Sequence, residues 1–374
     1  MKYSFRLIFL LFILNYTTGT GQVAKFQPPD GKAIFIIGQD LGAIGGFEYP
    51  NNDGYVDNII PVPAGVTSYT SLPTLNGLGS KDNWGSGDVC AACITENSIY
   101  DNTVLVIGLY LVNQLSQIVS GNYDDDIEIF GNWIKAQGRP VLIRIGYEFD
   151  GEWNNYEPSL YKEAFKRIVD KFEEMNMSNY ATIWQSSGRG TADHLLQWYP
   201  GSDYVDWLGY SHFNSLGTGI LEIARSENKP VMIAESTPKK DLKNEDGDTI
   251  WNEWFQPLFD HIHNNNDVIK ALAYISVNWD EQPMWSGEGW GDSRVWVNDT
   301  VLEKWLEEIT SDFWINSSDS LFNLIDYSNT LIDILRSNID LKITPNPVLN
   351  EFKIQFEIER NGKVLINIRD LLGR

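Results

Sequence analysis

The 374-residue chain has only two cysteines, Cys90 and Cys93, and only four histidines. So few thiols exclude a disulfide-dense scaffold, and without a second CxxC there is no four-cysteine zinc set. A lone CxxC fits a redox pair, half a metal site or a local disulfide, and the disulfide is the reading that suits an exported chain. Positive charge is also scarce. Against 51 acidic residues stand 28 Lys and Arg, a formal net charge of −23. Phosphate backbones would be repelled, so no nucleic-acid partner is expected, and a neutral polymer is easier to accept than a strongly anionic one. Long apolar runs are missing except between Leu7 and Leu14, a stretch too short to span a bilayer, so no membrane insertion is expected. That run follows Lys2 and Arg6 and precedes small and polar residues from Asn15 to Gly21. Residues 1–22 are therefore expected to be a signal peptide and the protein to be secreted or held at the cell surface. No nucleotide motif and no zinc signature occur, and no cofactor or metal is expected. The acidic stretches 124–126 and 246–248 miss the EF-hand spacing and read as solvated loops.

Aromatic residues are plentiful at 13%, with 14 Trp. About half of these Trp are expected in the core. The remainder favour a carbohydrate partner, because the apolar faces of pyranose rings stack on flat side chains. Eight short apolar segments also recur, at 33–38, 65–69, 104–108, 141–145, 181–185, 205–210, 231–234 and 271–277. Their continuous apolar character suits strands buried on both faces. Helical spacing appears between several of them, most clearly over 158–176, 219–228 and 251–264. Eight strand–helix alternations predict a (β/α)8 TIM barrel in the α/β class, here over residues 23–315 and monomeric. An open doubly wound sheet is the alternative, but no Gly-rich phosphate turn follows the first strand. Residues 316–338 read as a linker, with helical character from Leu321. Residues 339–374 read as a small C-terminal β segment of two or three strands entered through Pro345-Asn-Pro347.

Catalytic groups of such barrels sit at the C-terminal ends of strands. Glu148 follows the fourth segment and Glu235 the seventh, so both would open into one cleft. Glycosidic cleavage needs such a pair, one carboxylic acid to protonate the leaving oxygen and one carboxylate to attack or to activate water. The alternative is that both are structural ion-pair partners at the rim; Arg144 would serve either as such a partner or as a charge that tunes them. Gln39 and Asp40, after the first strand, are placed to hydrogen-bond sugar hydroxyls or to cap a helix. Trp184 and Gln185 line the cleft, or Trp184 caps the core. His212 binds a hydroxyl or is a core histidine.

The run from Arg144 to Trp153 resembles the acid/base motif of glycoside hydrolase family 26, matching it at Arg144, Glu148, Gly151 and Trp153. It departs at Tyr147, where most members have His, and at Asn154-Asn155-Tyr156, where many have further Trp. Pro230-Val-Met-Ile-Ala-Glu235 is similar to the family's nucleophile strand and Asp203 to Phe213 to its sixth strand. Tyr210 would then be the aromatic that touches the nucleophile, and Trp279 the aromatic floor after the eighth strand. The likeness runs from Lys32 to Trp305 and is greatest to the β-1,3-xylanases. It implies a retaining endo-hydrolase of a polysaccharide, with Glu148 as acid/base and Glu235 as nucleophile. Arg144 and Tyr210 would orient them, Trp153 and Trp279 would stack sugars, and Gln39, Tyr147, Trp184 and His212 would complete the substrate site. β-1,4-Mannan is the alternative substrate, and a catalytically inactive glycan-binding barrel the alternative of another class. The tail resembles a truncated C-terminal sorting domain of the type IX secretion system, which implies that machinery as a partner.

Overall fold

Eight short segments pair side by side in parallel, and the last closes on the first. The computed structural model describes residues 24–48 and 53–327, with the backbone of 342–344 and 353–355. The strands are β1 (Ala33–Gly38), β2 (Gly65–Ser71), β3 (Val104–Tyr110), β4 (Val141–Ile145), β5 (Tyr180–Ser186), β6 (Trp207–His212), β7 (Val231–Ser236) and β8 (Ile269–Ile275). Spatial order follows chain order, and β1 pairs with β8 from Ile34–Ala271 to Gly38–Ile275. The fold is a (β/α)8 TIM barrel, as expected.

Alternation along each strand divides the apolar residues into two clusters. Ile34 and Ile36, Val104 and Val106, Met232 and Ala234 fill the barrel interior. Their neighbours Phe35, Ile37, Leu105, Ile107 and Ile233 face the helices. Both faces are dry, which is why the strands read as unbroken apolar runs.

The helix Pro158–Glu174 shows how the outer layer forms. The Glu157 carboxylate caps it by accepting from the backbone N–H groups of Ser159 and Leu160. Tyr161, Ala164, Phe165, Ile168, Val169 and Phe172 form its buried stripe. Each large apolar side chain so buried contributes about 1.5–3 kcal/mol. Asn176 in the left-handed region, φ 51°, turns the chain away.

Three readings need correction. Residues 124–126 are not a loop but the first turn of the helix Asp124–Ala136. Their carboxylates favour the positive end of the helix dipole, and Asp124 pairs with Arg167 at 2.7 Å. Asp246 is likewise a cap, accepting from the Thr249 N–H of the helix Gly247–Ile250. The segment from Asn316 does not begin as a linker. A two-residue strand, Trp314–Ile315, pairs with β1, and Leu321 and Ile325 are fully buried with Phe26 and Ile315 in the barrel-interior cluster. Residues 316–327 therefore plug the barrel floor, and the Trp207 indole ties the N-terminal segment there through a 2.7 Å bond to the Lys25 carbonyl. Further along, Lys342–Thr344 pairs antiparallel with Lys353–Gln355. The expected signal peptide and the rest of the tail lie outside the described residues. Cys90 and Cys93 are disulfide-bonded, in the connection from β2 to β3.

Candidate active site

Inward parity on β4 falls on Leu142 and then on Arg144, a charge at the top of the barrel with no exposed surface. Gly108 on β3 makes room for it. A Cβ there would lie 2.5 Å from the Tyr69 ring and 2.9 Å from Arg144 Nη2. After β4 the chain turns through Gly146, φ 55°, and Glu148, φ 51°. The left-handed region costs a residue with a Cβ about 1–2 kcal/mol, and such backbone is typical of functional sites. The Asn154 side-chain amide holds this turn, donating to the carbonyls of Tyr147 at 2.9 Å and Glu148 at 3.0 Å.

Glu148 Oε1 accepts from the Ser211 hydroxyl at 2.7 Å, and Oε2 from the Trp153 indole at 2.9 Å. Burial pushes its carboxyl up to about 7, with the negative charge of Glu235 adding to the shift and the Ser211 and Trp153 bonds opposing it. This carboxyl can hold a proton near neutrality and give it up.

Glu235 arrives by a different route. Regular alternation from the outward Ile233 would point it at the helices. Instead the register between β6 and β7 shifts, Tyr210 opposing Ile233 and Ser211 opposing Glu235. The extra residue re-aims the side chain, as bulges beside active sites do. Glu235 Oε1 then accepts from Arg144 Nη1 at 2.6 Å and from the Tyr69 hydroxyl at 2.9 Å. Both bonds fall on Oε1, so Oε2 is the oxygen left to meet a substrate. The Arg144 guanidinium also lies against the rings of Tyr69 and Tyr147, 4.9 and 5.2 Å from their centroids.

Both carboxylates line a cleft of about 910 Å³. One wall is a cluster of Tyr69, Trp84, Tyr110 and Tyr147, with ring centroids 5.5–6.5 Å apart. Trp279, Trp285 and Trp290 form the other, mutually 5.2–5.6 Å apart. The loops carrying these walls meet where the Met284 N–H donates to the Gly85 carbonyl at 2.9 Å. Among the described residues no group of three or more His, Cys, Asp or Glu could hold a metal ion.

Of the residues singled out in the sequence, Gln39, Tyr147, Glu148, Trp153, Glu235 and Trp279 line this cleft, and Arg144 lies beneath it. Others do not reach it. Trp184 is in the outer core, stacked on Phe149 at 4.3 Å. Tyr210 and His212 share the outward parity of Leu208. The Tyr210 hydroxyl meets His261 Nε2 at 3.0 Å, and His212 packs against Trp254 and His261. Burial drives the His212 imidazole down to about 4, with His261 adding to the shift, so it is a neutral core histidine. The aromatic that touches Glu235 is Tyr69, not Tyr210. Asp40 takes its capping role, accepting from the Gly42 and Ala43 N–H groups. Gln185, named with Trp184 as a cleft residue, lies instead behind the cleft, bonded to Arg144 and Ser211, and Ser211 was not singled out in the sequence at all. Trp84, Trp285 and Trp290 sit on loops, where no periodicity announces a direction.

The model of "Glycosyl hydrolase family 26" matches residues 109–271. A β-1,3-xylanase from a Vibrio species is 31% identical over 331 residues, covering 81% of this chain and 70% of the relative. One from an Alcaligenes species is 30% identical over 332 residues, covering 81% and 68%. Among solved structures, a family 26 β-mannanase from Bacteroides ovatus superposes with a TM-score of 0.59 at 14% identity, covering 79% of this chain and 93% of that one. At that identity the likeness speaks for the fold alone.

Proposed function

The chain belongs to glycosyl hydrolase family 26, and from that premise we propose that this glycoside hydrolase is a secreted, retaining endo-β-1,3-xylanase. One observation carries the mechanism. Two carboxylates share a cleft, one bonded to a buried guanidinium and the other pushed up to about 7. Environments that separate two carboxyl groups in this way assign acid and base. Glu148 gives its proton to the glycosidic oxygen as the bond to the anomeric carbon breaks. Glu235 Oε2 attacks that carbon and forms a glycosyl ester, its Oε1 held back by Arg144 and Tyr69. Glu148, now a carboxylate, takes a proton from water. The water oxygen then displaces Glu235, and the configuration is retained after two inversions.

The substrate reading rests on the two xylanase relatives and on the uncharged aromatic walls, which suit a neutral xylose polymer. Export rests on the pattern of residues 1–22 and on the disulfide, which persists in oxidising compartments. Passage through a type IX machinery rests on the sequence of the tail. The test is release of reducing ends from β-1,3-xylan, β-1,4-xylan, β-1,4-mannan and β-1,3-glucan, with Glu235→Ala as the blank. Fastest release from β-1,3-xylan is expected. Preference for mannan would overturn the substrate. No release from any polymer, with glycans still bound, would make the barrel a binding protein.

A further inference from the structure

Arg144, Gln185, Ser211 and Glu148 come from β4, β5, β6 and the turn after β4, and they touch in sequence. Arg144 Nη1 lies 3.1 Å from Gln185 Oε1, Gln185 Nε2 lies 3.1 Å from Ser211 Oγ, and Ser211 Oγ lies 2.7 Å from Glu148 Oε1. The same Nη1 lies 2.6 Å from Glu235 Oε1. Gln185 and Arg144 have no exposed surface and Ser211 has 1%. A guanidinium can only donate. Gln185 must therefore turn its carbonyl to Arg144 and its N–H to Ser211. With an N–H pointing at its oxygen, Ser211 directs its single proton at Glu148. Each link has one direction, set by the cation that also holds Glu235.

We propose that Gln185 and Ser211 are positioning residues, a one-way hydrogen-bond relay from Arg144 that orients the Glu148 carboxyl and sets the pH range over which it keeps its proton. The proposal rests on the roles given above to Glu148 and Glu235. Neither Gln185 nor Ser211 lines the cleft, so the relay works from behind the substrate. Other groups also face Glu148. Glu235 comes from β7, Arg144 from β4 and Tyr69 from β2, with Tyr147 beside it in the turn. Arg189 and Lys239 line the cleft from the loops after β5 and β7, and Asp150, in the same turn, is engaged by Ser186 and Ser187. Ser211 contributes no charge, so its removal isolates the hydrogen bond.

The experiment is a titration of the Glu148 carboxyl by carbon NMR in the full chain, beside the pH profile of kcat/KM. A donated bond favours the carboxylate, so Ser211→Ala should raise the Glu148 midpoint by about one pH unit, from the usual strength of a hydrogen bond to a charged group. The basic limb of kcat/KM should move up with it. Ser211→Thr, which keeps the hydroxyl, should restore both. Gln185→Met, of similar volume but unable to link Arg144 to Ser211, should shift the midpoint in the same direction as Ser211→Ala. A residue that merely filled space would lower kcat equally at every pH. An unmoved or lowered midpoint in Ser211→Ala overturns the relay. The titration reads the carboxyl itself. An error in its catalytic role would show elsewhere, as a Glu148→Ala enzyme equally slow on good and poor leaving groups.

Discussion

Glu148 and Glu235 are the same residue type in one cleft, and the mechanism depends on their being unlike. Glu235 has a cation and a phenol on one oxygen, whereas Glu148 has a neutral hydroxyl and an indole. Loss of the Glu148 proton should end the first step, so kcat/KM should fall as pH rises through about 7. A profile flat to well above that range would deny Glu148 the role of acid. Glu148→Ala should be slowed far more on polymer than on aryl glycosides with activated leaving groups, which depart without a proton. Azide should speed the aryl reaction further, since the small anion needs no general base. Tyr69→Phe removes one of the two bonds to Glu235, and kcat/KM should fall roughly ten- to a hundredfold, the usual effect of a lost hydrogen bond to a charged group. Unchanged kinetics would show that Tyr69 does not hold the nucleophile. The carboxylates themselves were legible in the sequence, because each follows an apolar run. Tyr69 was less so, because its role appears only when the closed barrel brings the ends of β2, β4 and β7 to one cleft.

Strand alternation decides which of the expected site residues reach the cleft. Tyr210 lies one residue before Ser211 and faces the opposite way, into the helix layer. A run buried on both faces gives no polar–apolar alternation to mark which side is inward, so the sequence left His212 and Trp184 with two readings each and put Tyr210 on the wrong face. Tyr210→Phe should cost roughly 1 kcal/mol of stability through the lost His261 bond and leave kcat unchanged. A large loss of kcat with an unchanged melting temperature would contradict this placement. The helix Asp124–Ala136 was missed for a different reason. Three consecutive Asp read as loop, while the stripe of Ile127, Phe130, Gly131 and Ile134 behind them was there to be counted. The register shift that turns Glu235 inward leaves no local mark in sequence, since it is a property of the β6–β7 pair.

The barrel as a whole depends on its closed floor. Leu321 and Ile325 are buried there, and removing both should cost about 3 kcal/mol or more of apolar burial. A chain ending at Trp314 should therefore melt well below one ending near Asn338, while the latter keeps full turnover. Equal melting of the two would mean that the floor is not part of the folded unit. Eight recurring segments made the architecture legible from end to end. The cleft walls were legible only in part: Tyr147 and Trp279 were singled out, whereas Trp84, Trp285 and Trp290 sit on loops that come together only after the barrel has closed. In the proposed mechanism the barrel places Glu148 and Glu235 for two successive displacements, which calls for carboxyl groups about 5–5.5 Å apart rather than the roughly 6.5–9.5 Å that leaves room for a water. Proton NMR of the products in the first minutes of hydrolysis, before mutarotation, tests it most directly. The anomer released first should have the configuration of the bond cleaved; initial release of the inverted anomer would mean that water attacks directly and that Glu235 is not the nucleophile.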